Sequence, residues 1–268
     1  MNIDSIRAAS ALLQDLWQRG DVIATLPADM RPRTRADGYA IQALLVARPD
    51  RGAAPLYGWK IAATSIAGQQ HINVDGPIAG RILPSRVVAD GGRIPPGPNR
   101  MSVAEVEFAF RMDRDVVPRG KPYSTDEVID AVASLHPAIE VPDSRYEDFT
   151  KVGVAQLIAD DACAHWFVAA DAAAADWRSI DLSMARVSGR VIRDGNIVLE
   201  RVGTGANALG DPRIALAWLV NELSSLGIVL AKGQTVTTGT CVQPLEVQPG
   251  DQVIADLGAL GRAMVRIG

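Results

Sequence analysis

Two glutamates lie in the apolar stretch VAEVEFAF, residues 103–110. Its strict alternation predicts a β-strand, in which residues i and i+2 point to the same face. Glu105 and Glu107 would then lie about 6–7 Å apart along one face of the strand. Carboxylates held this close raise each other's pKa unless a cation or a hydrogen-bond donor lies between them. The stretch is therefore either a one-sided strand with solvated glutamates or part of a divalent-metal site.

A third carboxylate lies in HPAIEV, residues 136–141. Glu140 follows apolar neighbours in a predicted buried strand, where an unpaired carboxylate costs several kcal/mol or becomes protonated. A meeting with Glu105 and Glu107 around one Mg²⁺ or Mn²⁺ would remove both problems. These hard cations take oxygen ligands and keep several waters.

A lysine lies in a second apolar stretch, GWKIAATS, residues 58–65. The ammonium of Lys60 is costly in such surroundings unless it faces an anion. Beside a metal site it could hold a substrate carboxylate or move a proton. Taken alone, the stretch is better explained by a surface lysine whose stem covers apolar residues.

Other catalytic motifs find little support. The glycine-rich stretch GTGANALG, residues 203–210, lacks the βαβ context of a dinucleotide site and is better explained as a turn before a helix. There is no G-x-S-x-G elbow, and none of His71, His136 and His165 lies in a nucleophile pattern. His136 is expected to be a hydrogen-bonded histidine at a strand edge.

Composition narrows the class of ligand and the compartment. The chain has 268 residues, 48% of them hydrophobic, and a net charge of −4 without a Lys/Arg run, which favours a small metabolite over nucleic acid. Cys163 and Cys241 form no CxxC pair and are expected to be reduced. With no secretory h-region and no run of 18 apolar residues, we expect a cytoplasmic protein without a membrane partner.

Helical segments followed by β-rich texture predict an α+β fold. A hairpin is predicted at 185–202 with its turn at Asp194-Gly195, and the alanine-rich segment 155–175 is ambiguous between helix and strand. PPGP at 95–98 could divide an N-terminal α+β segment, 1–95, from a catalytic body, 96–268, although one continuous domain is also compatible. Helices are expected at 4–19, at 33–48, from the capping box of Ser124 and Glu127 to about Leu135, and from the N-cap Asp211 to Gly227.

Taken together, these stretches resemble the 2-keto-4-pentenoate hydratase and 4-oxalocrotonate decarboxylase group of the fumarylacetoacetate hydrolase superfamily. The resemblance covers nearly the whole chain. It implies a mixed β-roll with an N-terminal helical segment and a late inserted helix, a Mg²⁺ or Mn²⁺ cofactor, and a homo-oligomer built from dimers. The motifs that carry it are GWKIAATS, the ExE of AEVEFAF, HPAIEVPDSRY, LIADDAC, GTGANALGDPRIALAWL and TGT…VQPGDQVIADLGALG.

The resemblance also implies roles for individual residues. The metal triad of the family corresponds to Glu105, Glu107 and Glu140, and its active-site lysine to Lys60. The implied reaction is hydration of a 2-hydroxy-2,4-dienoate in aromatic catabolism. Decarboxylation of a 4-oxalocrotonate-like acid is the alternative.

One departure weakens the assignment of hydration. The family carries an acid in a P-D-[FY]-G segment, but here the segment is DGPIAGR, with Ile78 at that position. Asp75 or His71 could substitute, and Ala62 replaces a glycine of the lysine motif. A C–C hydrolase or a 2-oxoacid tautomerase therefore also remains open, as does a metal-binding pathway partner without turnover.

Overall fold

The structure is a computed structural model that describes residues 1–45 and 56–268. Helices and strands both contribute to the fold, which confirms the predicted α+β class. The helices are α1 Ile3–Arg19, α2 Arg35–Ala43, α3 Ile66–His71, α4 Thr125–Ile129, α5 Val154–Ala159 and α6 Pro212–Ser225. The strands are β1 Gly58–Ala62, β2 Ile78–Ile82, β3 Val87–Ala89, β4 Val103–Met112, β5 Val132–Val141, β6 Trp166–Ala169, β7 Arg186–Arg193, β8 Asn196–Thr204, β9 Thr235–Thr237, β10 Leu245–Glu246, β11 Gln252–Asp256 and β12 Arg262–Arg266.

A mixed sheet positions the site. Its strand order is β2–β1–β9–β4–β5–β6–β3, and β10 also pairs with β4. The β1–β9 and β3–β6 pairs are parallel and the others are antiparallel. Strands from both sides of residue 95 share this sheet, so the division at 95–98 is not visible in its hydrogen bonding and stays a prediction.

A second, antiparallel sheet covers the apolar face of the first. Its order is β12–β11–β7–β8. Gly189 of β7 lies so close to β4 that a Cβ added there would be 2.7 Å from Cγ2 of Val106. Both Val106 and Phe108 are fully buried, which places the main core between the two sheets.

The predicted helix boundaries are partly confirmed. α1 and α6 match, with Asp211 accepting a hydrogen bond from the Arg213 N–H as the N-cap of α6. Helix α2 ends at Ala43, earlier than the predicted 48, and residues 46–48 lie outside the described residues. Its capping box of Thr34 and Asp37 was missed.

The helix after Ser124 is shorter than predicted. Its capping box with Glu127 is present, but α4 ends at Ile129 and the chain enters β5 at Val132. Eight residues of β5 then pair with β4, and this long-range ladder overrides the local tendency to continue the helix.

The ambiguous segment 155–175 contains both kinds of structure, α5 followed by β6. The hairpin forms as predicted from β7 and β8, with Asp194 and Gly195 at positive φ in the turn. Cys163 and Cys241 are free and buried. Within the described residues, no helix is both long and apolar enough to cross a bilayer.

Candidate metal centre

The three predicted ligands converge on one face of the mixed sheet. Antiparallel pairing of β4 with β5 sets Glu105 directly opposite Glu140, and Glu107 lies two residues further along the same face of β4. One carboxylate oxygen from each residue lies within 4.8 Å of the others. Glu107 is fully buried and Glu140 is 2% exposed. The solvated-glutamate interpretation of VAEVEFAF is therefore wrong for Glu107.

Hydrogen bonding satisfies only part of this cluster. Oε2 of Glu107 accepts hydrogen bonds from the Thr237 hydroxyl and, at 2.7 Å, from the Gly239 N–H. Oε1 of Glu107 and Oε1 of Glu140 are buried and accept no hydrogen bond within residues 1–45 and 56–268. Buried acceptors without donors are costly, and a cation is the natural partner for several that converge.

Lys60 of β1 completes the cluster. Its Nζ lies 3.0 Å from Oε2 of Glu140 and donates to the Ala162 carbonyl at 3.1 Å. Three carboxylates and one ammonium carry a net charge of −2 when all are ionised, which one divalent cation neutralises. The donor set thus fits a hard divalent ion in both charge and ligand type.

The pKa values of these groups reflect the same excess of buried negative charge. Burial, followed by the charge of Glu105, raises the pKa of Glu107 from 4.5 to about 8. Burial also raises the pKa of Glu140 well above its usual value, although Lys60 opposes the change. For Lys60 burial lowers the pKa, but the negative charges of Glu140, Glu105 and Glu107 outweigh it and the net direction is upward. A bound cation would reverse each direction, because it stabilises carboxylates and repels the ammonium.

An unusual turn positions the lysine. Asp161, Ala162 and Cys163 have φ values of 57°, 51° and 62°, a left-handed conformation that is costly for residues other than glycine. The turn brings the Ala162 carbonyl to Lys60, and a Cβ on Gly80 would lie 2.3 Å from the Asp161 carbonyl oxygen. The sequence LIADDAC contains no glycine and gave no signal of this conformation.

A second element that the sequence did not predict holds Glu107 in position. Gly239 follows β9 with φ of 90°, and a Cβ there would lie 2.2 Å from the Thr64 hydroxyl oxygen. The glycine therefore lets its N–H reach Glu107, beside the hydroxyl of Thr237. The stretch TGT at 238–240 was a recognisable signal, but its partner could not be read from the chain.

The glycine-rich stretch 203–210 forms a loop that contacts Thr64. A short 3-10 helix, Gly205–Asn207, precedes the Leu209 N–H, which donates to the Thr64 carbonyl at 3.0 Å. This contact supports the interpretation as a turn before α6. His136 makes two hydrogen-bonding contacts: its Nε2 lies 2.7 Å from the Ser134 hydroxyl oxygen and its Nδ1 lies 2.9 Å from the Ala170 carbonyl oxygen.

The two candidates for the missing acid lie at the surface. Asp75 is bonded to Arg35, and this hydrogen bond is the main cause of its lowered pKa. His71 is exposed at the C-terminal end of α3, with its ring 6.0 Å from that of Phe149. The structure brings neither into the described carboxylate cluster, and their catalytic roles stay predictions.

Ile78 itself faces the site. It is 1% exposed and pairs with Ala62, two residues along β2 from Gly80, the cross-strand partner of Lys60. Residues two apart on a strand share a face, so an apolar side chain lies on the same face as the lysine. The position expected to supply an acid is thus on the correct face but lacks a titratable group.

Known proteins are similar to this chain over nearly its whole length. No family model matches. The chain is 30% identical to a 2-keto-4-pentenoate hydratase of Paraburkholderia xenovorans (strain LB400) over 95% of this chain and 91% of that protein. It is 28% identical to a 4-oxalocrotonate decarboxylase of Pseudomonas putida, over 99% and 98% of the two chains.

Solved structures agree with these relatives. A 4-oxalocrotonate decarboxylase from Pseudomonas putida G7, complexed with magnesium and adipate, superposes with a TM-score of 0.84 at 25% identity, covering 100% of this chain and 99% of that one. A 2-hydroxyhepta-2,4-diene-1,7-dioate isomerase from Mycobacterium marinum, with a TM-score of 0.53 at 16% identity over 80% and 76% of the chains, shares the fold. The sequence relatives, the fold and the carboxylate cluster agree: this chain belongs to the 2-keto-4-pentenoate hydratase and 4-oxalocrotonate decarboxylase group of the fumarylacetoacetate hydrolase superfamily.

Proposed function

We propose that this protein is a divalent-metal-dependent lyase that adds water to a 2-hydroxy-2,4-dienoate of the 2-keto-4-pentenoate type, in the degradation of aromatic compounds. The observation that carries the proposal is the convergence of three carboxylates and a buried lysine on one sheet face. The hydratase relative, which aligns over 95% of this chain, supports the reaction type.

Glu105, Glu107 and Glu140 would hold the ion, with Mg²⁺ as the first candidate and Mn²⁺ as the second. When bound, the ion supplies Lewis-acid stabilisation of negative charge on the 2-oxo and carboxylate oxygens of the substrate. Thr237 and Gly239 fix the orientation of Glu107 through its Oε2, which leaves Oε1 available to the ion. Such supporting hydrogen bonds set both the geometry and the affinity of a metal site.

Lys60 lies beside the carboxylates, with its Nζ 3.0 Å from Oε2 of Glu140. Hydration requires protonation at two carbons. First the dienol loses its hydroxyl proton and carbon 5 gains a proton. Water then adds, with its hydroxyl at carbon 4 and its proton at carbon 3. A bound cation would lower the pKa of Lys60, whose ammonium could then donate a proton or hold the substrate carboxylate. Its burial at 2% exposure keeps bulk water away from this proton.

Decarboxylation of a 4-oxalocrotonate-like acid is the second candidate. The decarboxylase relative aligns over 99% of this chain, and the decarboxylase structure superposes over all of it. Ile78 is buried on the same face as Lys60, where the family carries an acid, and this supports a changed acid/base arrangement. C–C cleavage and tautomerisation of a 2-oxoacid are therefore further alternatives.

The test is to incubate purified protein with 2-hydroxypenta-2,4-dienoate and Mg²⁺, follow the loss of dienol absorbance and identify the product. We expect 4-hydroxy-2-oxopentanoate, with no turnover in EDTA or in Glu107→Gln. A parallel reaction with 4-oxalocrotonate measures release of CO₂. Bound metal without turnover of either substrate would contradict the proposal and favour another 2-oxoacid reaction or a binding role.

The position of Ile78 offers a matched variant. Ile78→Asp restores a carboxyl group on the face of Lys60, so it is expected to increase hydration relative to decarboxylation if the acid is what this chain lacks. Ile82→Asp is the control, since Ile82 lies on the same face of β2 four residues further on. Equal effects of both substitutions would indicate a general disturbance of the strand.

The assembly and compartment remain proposals as well. A homo-oligomer built from dimers is expected from the resemblance and is measured by light scattering of the purified protein. A cytoplasmic location is expected from the sequence and is measured by fractionation of the producing cells.

A further inference from the structure

A buried carboxyl group lies at the start of the left-handed turn 161–163. Asp161 is fully buried, and its Oδ1 accepts a hydrogen bond of 2.7 Å from the backbone N–H of Arg81 in β2. Its Oδ2 is buried as well and has no hydrogen-bond partner within residues 1–45 and 56–268. None of the roles proposed above uses this carboxyl group, so its presence calls for an explanation.

The charge of Asp161 does not stabilise the fold at neutral pH. Burial raises the pKa of its carboxyl from 3.8 to about 7, although the Arg81 N–H and the charges of Arg145 and Arg81 favour ionisation. The neighbouring Asp160 adds to the rise. A carboxyl whose pKa is higher in the folded chain than in the unfolded chain makes folding less favourable as the pH rises between the two values. The reason for this residue must therefore be sought in what it holds.

Asp161 holds the free edge of β2. This strand is the first in the order of the mixed sheet, so its outward backbone groups have no neighbouring strand. At Ala79 the N–H donates to the Tyr39 hydroxyl at 3.2 Å, and the carbonyl accepts from Nε2 of Gln42 at 2.8 Å. At Arg81 the N–H is taken by Asp161. Side chains thus replace a strand along this edge, and Asp161 is the one that joins the edge to the turn.

The turn in its place presents a carbonyl group to the lysine. Nζ of Lys60 contacts Oε2 of Glu140 at 3.0 Å and the Ala162 carbonyl oxygen at 3.1 Å. Glu140 is a proposed metal ligand, and a cation on it would repel the ammonium. The Ala162 carbonyl is neutral and is not one of the carboxylates of the cluster. It is therefore the contact of Lys60 that metal binding leaves intact.

The backbone of the turn depends on this anchoring. Asp161, Ala162 and Cys163 have φ values of 57°, 51° and 62°, which are costly for residues other than glycine. A Cβ on Gly80 would lie 2.3 Å from the Asp161 carbonyl oxygen and 3.0 Å from Cγ of Lys60, so the turn packs closely on the strand. Without the hydrogen bond to β2, the backbone is free to relax and to turn the next carbonyl away from the ammonium.

We infer that Asp161 is a positioning residue for Lys60. Its Oδ1, held on the Arg81 N–H, fixes the turn, and the Ala162 carbonyl then keeps the ammonium in place when a cation occupies the metal site. The side chain acts as a hydrogen-bond acceptor and not through its charge. The inference rests on the proposed role of Lys60 in the lyase reaction.

The ammonium protons of Lys60 test this without any turnover. A ¹H–¹⁵N spectrum selective for lysine ammonium groups detects those whose protons exchange slowly with water, as expected for a buried and hydrogen-bonded group. The other lysines, Lys121, Lys151 and Lys232, are exposed. With Mg²⁺ present we expect one slowly exchanging signal in the wild type, assigned by its absence from Lys60→Met.

Two substitutions of Asp161 separate the acceptor from the charge. Asp161→Asn and Asp161→Ala both remove the charge, but only the amide keeps an oxygen for the Arg81 N–H. The ammonium signal should persist in Asp161→Asn and disappear in Asp161→Ala. Asp161→Ala should also lower kcat by about tenfold or more with little change in KM or Mg²⁺ affinity, because the lysine is displaced while the carboxylates are not.

Asp251→Ala is the matched control. Asp251 is also fully buried and accepts a backbone N–H, that of Gln248 at 2.9 Å, but it is not part of the carboxylate cluster. This variant should keep both the ammonium signal and kcat. If Asp161→Ala fails to fold, Asp161→Gly replaces it, since glycine adopts a positive φ without strain and also lacks the acceptor.

Four results would overturn the inference: a wild-type signal that is absent with Mg²⁺, a signal unchanged in Asp161→Ala or Asp161→Gly, an equal loss in Asp161→Asn, and an equal loss in Asp251→Ala. The first two would show that the turn does not hold the ammonium, the third that the charge is what matters, and the fourth that the effect is a general one of destabilisation. A wild-type protein that turns over no substrate would instead contradict the proposed function and leave the spectra to decide the inference.

Discussion

Replacing Glu107 by glutamine is expected to stabilise the metal-free protein at high pH and to remove one ligand of the proposed metal site. The pKa of Glu107 is about 8 in the folded chain against 4.5 as the ordinary value. The folded state therefore holds a proton that the unfolded state releases between these values, and the free energy of unfolding falls as pH rises from 4.5 to 8. At about 1.4 kcal/mol for each pH unit, the complete loss is on the order of 5 kcal/mol.

Glutamine has no such proton to lose, so Glu107→Gln avoids this loss. The neighbouring carboxylates share protons with Glu107, which lowers the expected difference to roughly 2–5 kcal/mol at pH 9, with little difference at pH 4.5. Addition of Mg²⁺ should reverse the order, because the ion stabilises the wild-type carboxylates and finds one ligand fewer in the variant.

The assay is urea unfolding in EDTA at several pH values between 4.5 and 9, repeated with Mg²⁺. Glu147→Gln, an exposed glutamate in a loop, is the matched control and should follow the wild type. If wild type and Glu107→Gln lose stability in parallel as the pH rises in EDTA, the electrostatic account of this buried carboxylate is refuted.

Three further substitutions probe the lysine, the supporting hydroxyl and the strand packing. Lys60→Met should lower turnover by about 10²–10⁴-fold while Mg²⁺ binds at least as tightly, since a nearby positive charge is removed; steady-state kinetics and metal titration measure the two effects. Thr237→Val removes the hydroxyl that donates to Glu107, a proposed metal ligand, and should weaken Mg²⁺ binding about 10- to 100-fold, whereas Thr235→Val, on the same strand, should not. Gly58→Ala would place a Cβ 1.7 Å from the Thr235 carbonyl oxygen and should cost roughly 3 kcal/mol or more in urea unfolding; Gly120→Ala, which meets nothing within 4 Å, should cost little. A stable Gly58→Ala protein, or an active Lys60→Met enzyme, would count against the described geometry.

Local sequence signals were reliable where they act within a few residues. The N-cap Asp211 and the following Pro212 fixed the start of α6, and the turn at Asp194-Gly195 fixed the β7–β8 hairpin. The alternation of VAEVEFAF identified β4 and the shared face of its glutamates. Each of these depends on backbone preferences and periodicity that are present in the chain itself.

Signals failed where a distant partner decided the outcome. The segment after Ser124 carries a helical capping box, yet pairing with β4 made a strand from Val132 onward. The left-handed turn Asp161–Cys163 has no glycine to announce it. Its strain is sustained by packing against Gly80 and Lys60, which lie about 80 to 100 residues earlier in the chain.

The sequence by itself identified the candidate metal ligands, because acidic residues inside apolar strands need a counter-charge and the family motifs indicate which residues they are. Only the tertiary structure decided how they are held. The register of β4 on β5 set Glu105 opposite Glu140, and β9 brought Thr237 to Glu107 across 130 positions. Side-chain convergence of this kind depends on long-range pairing, whose energy is not encoded in any single stretch of the chain.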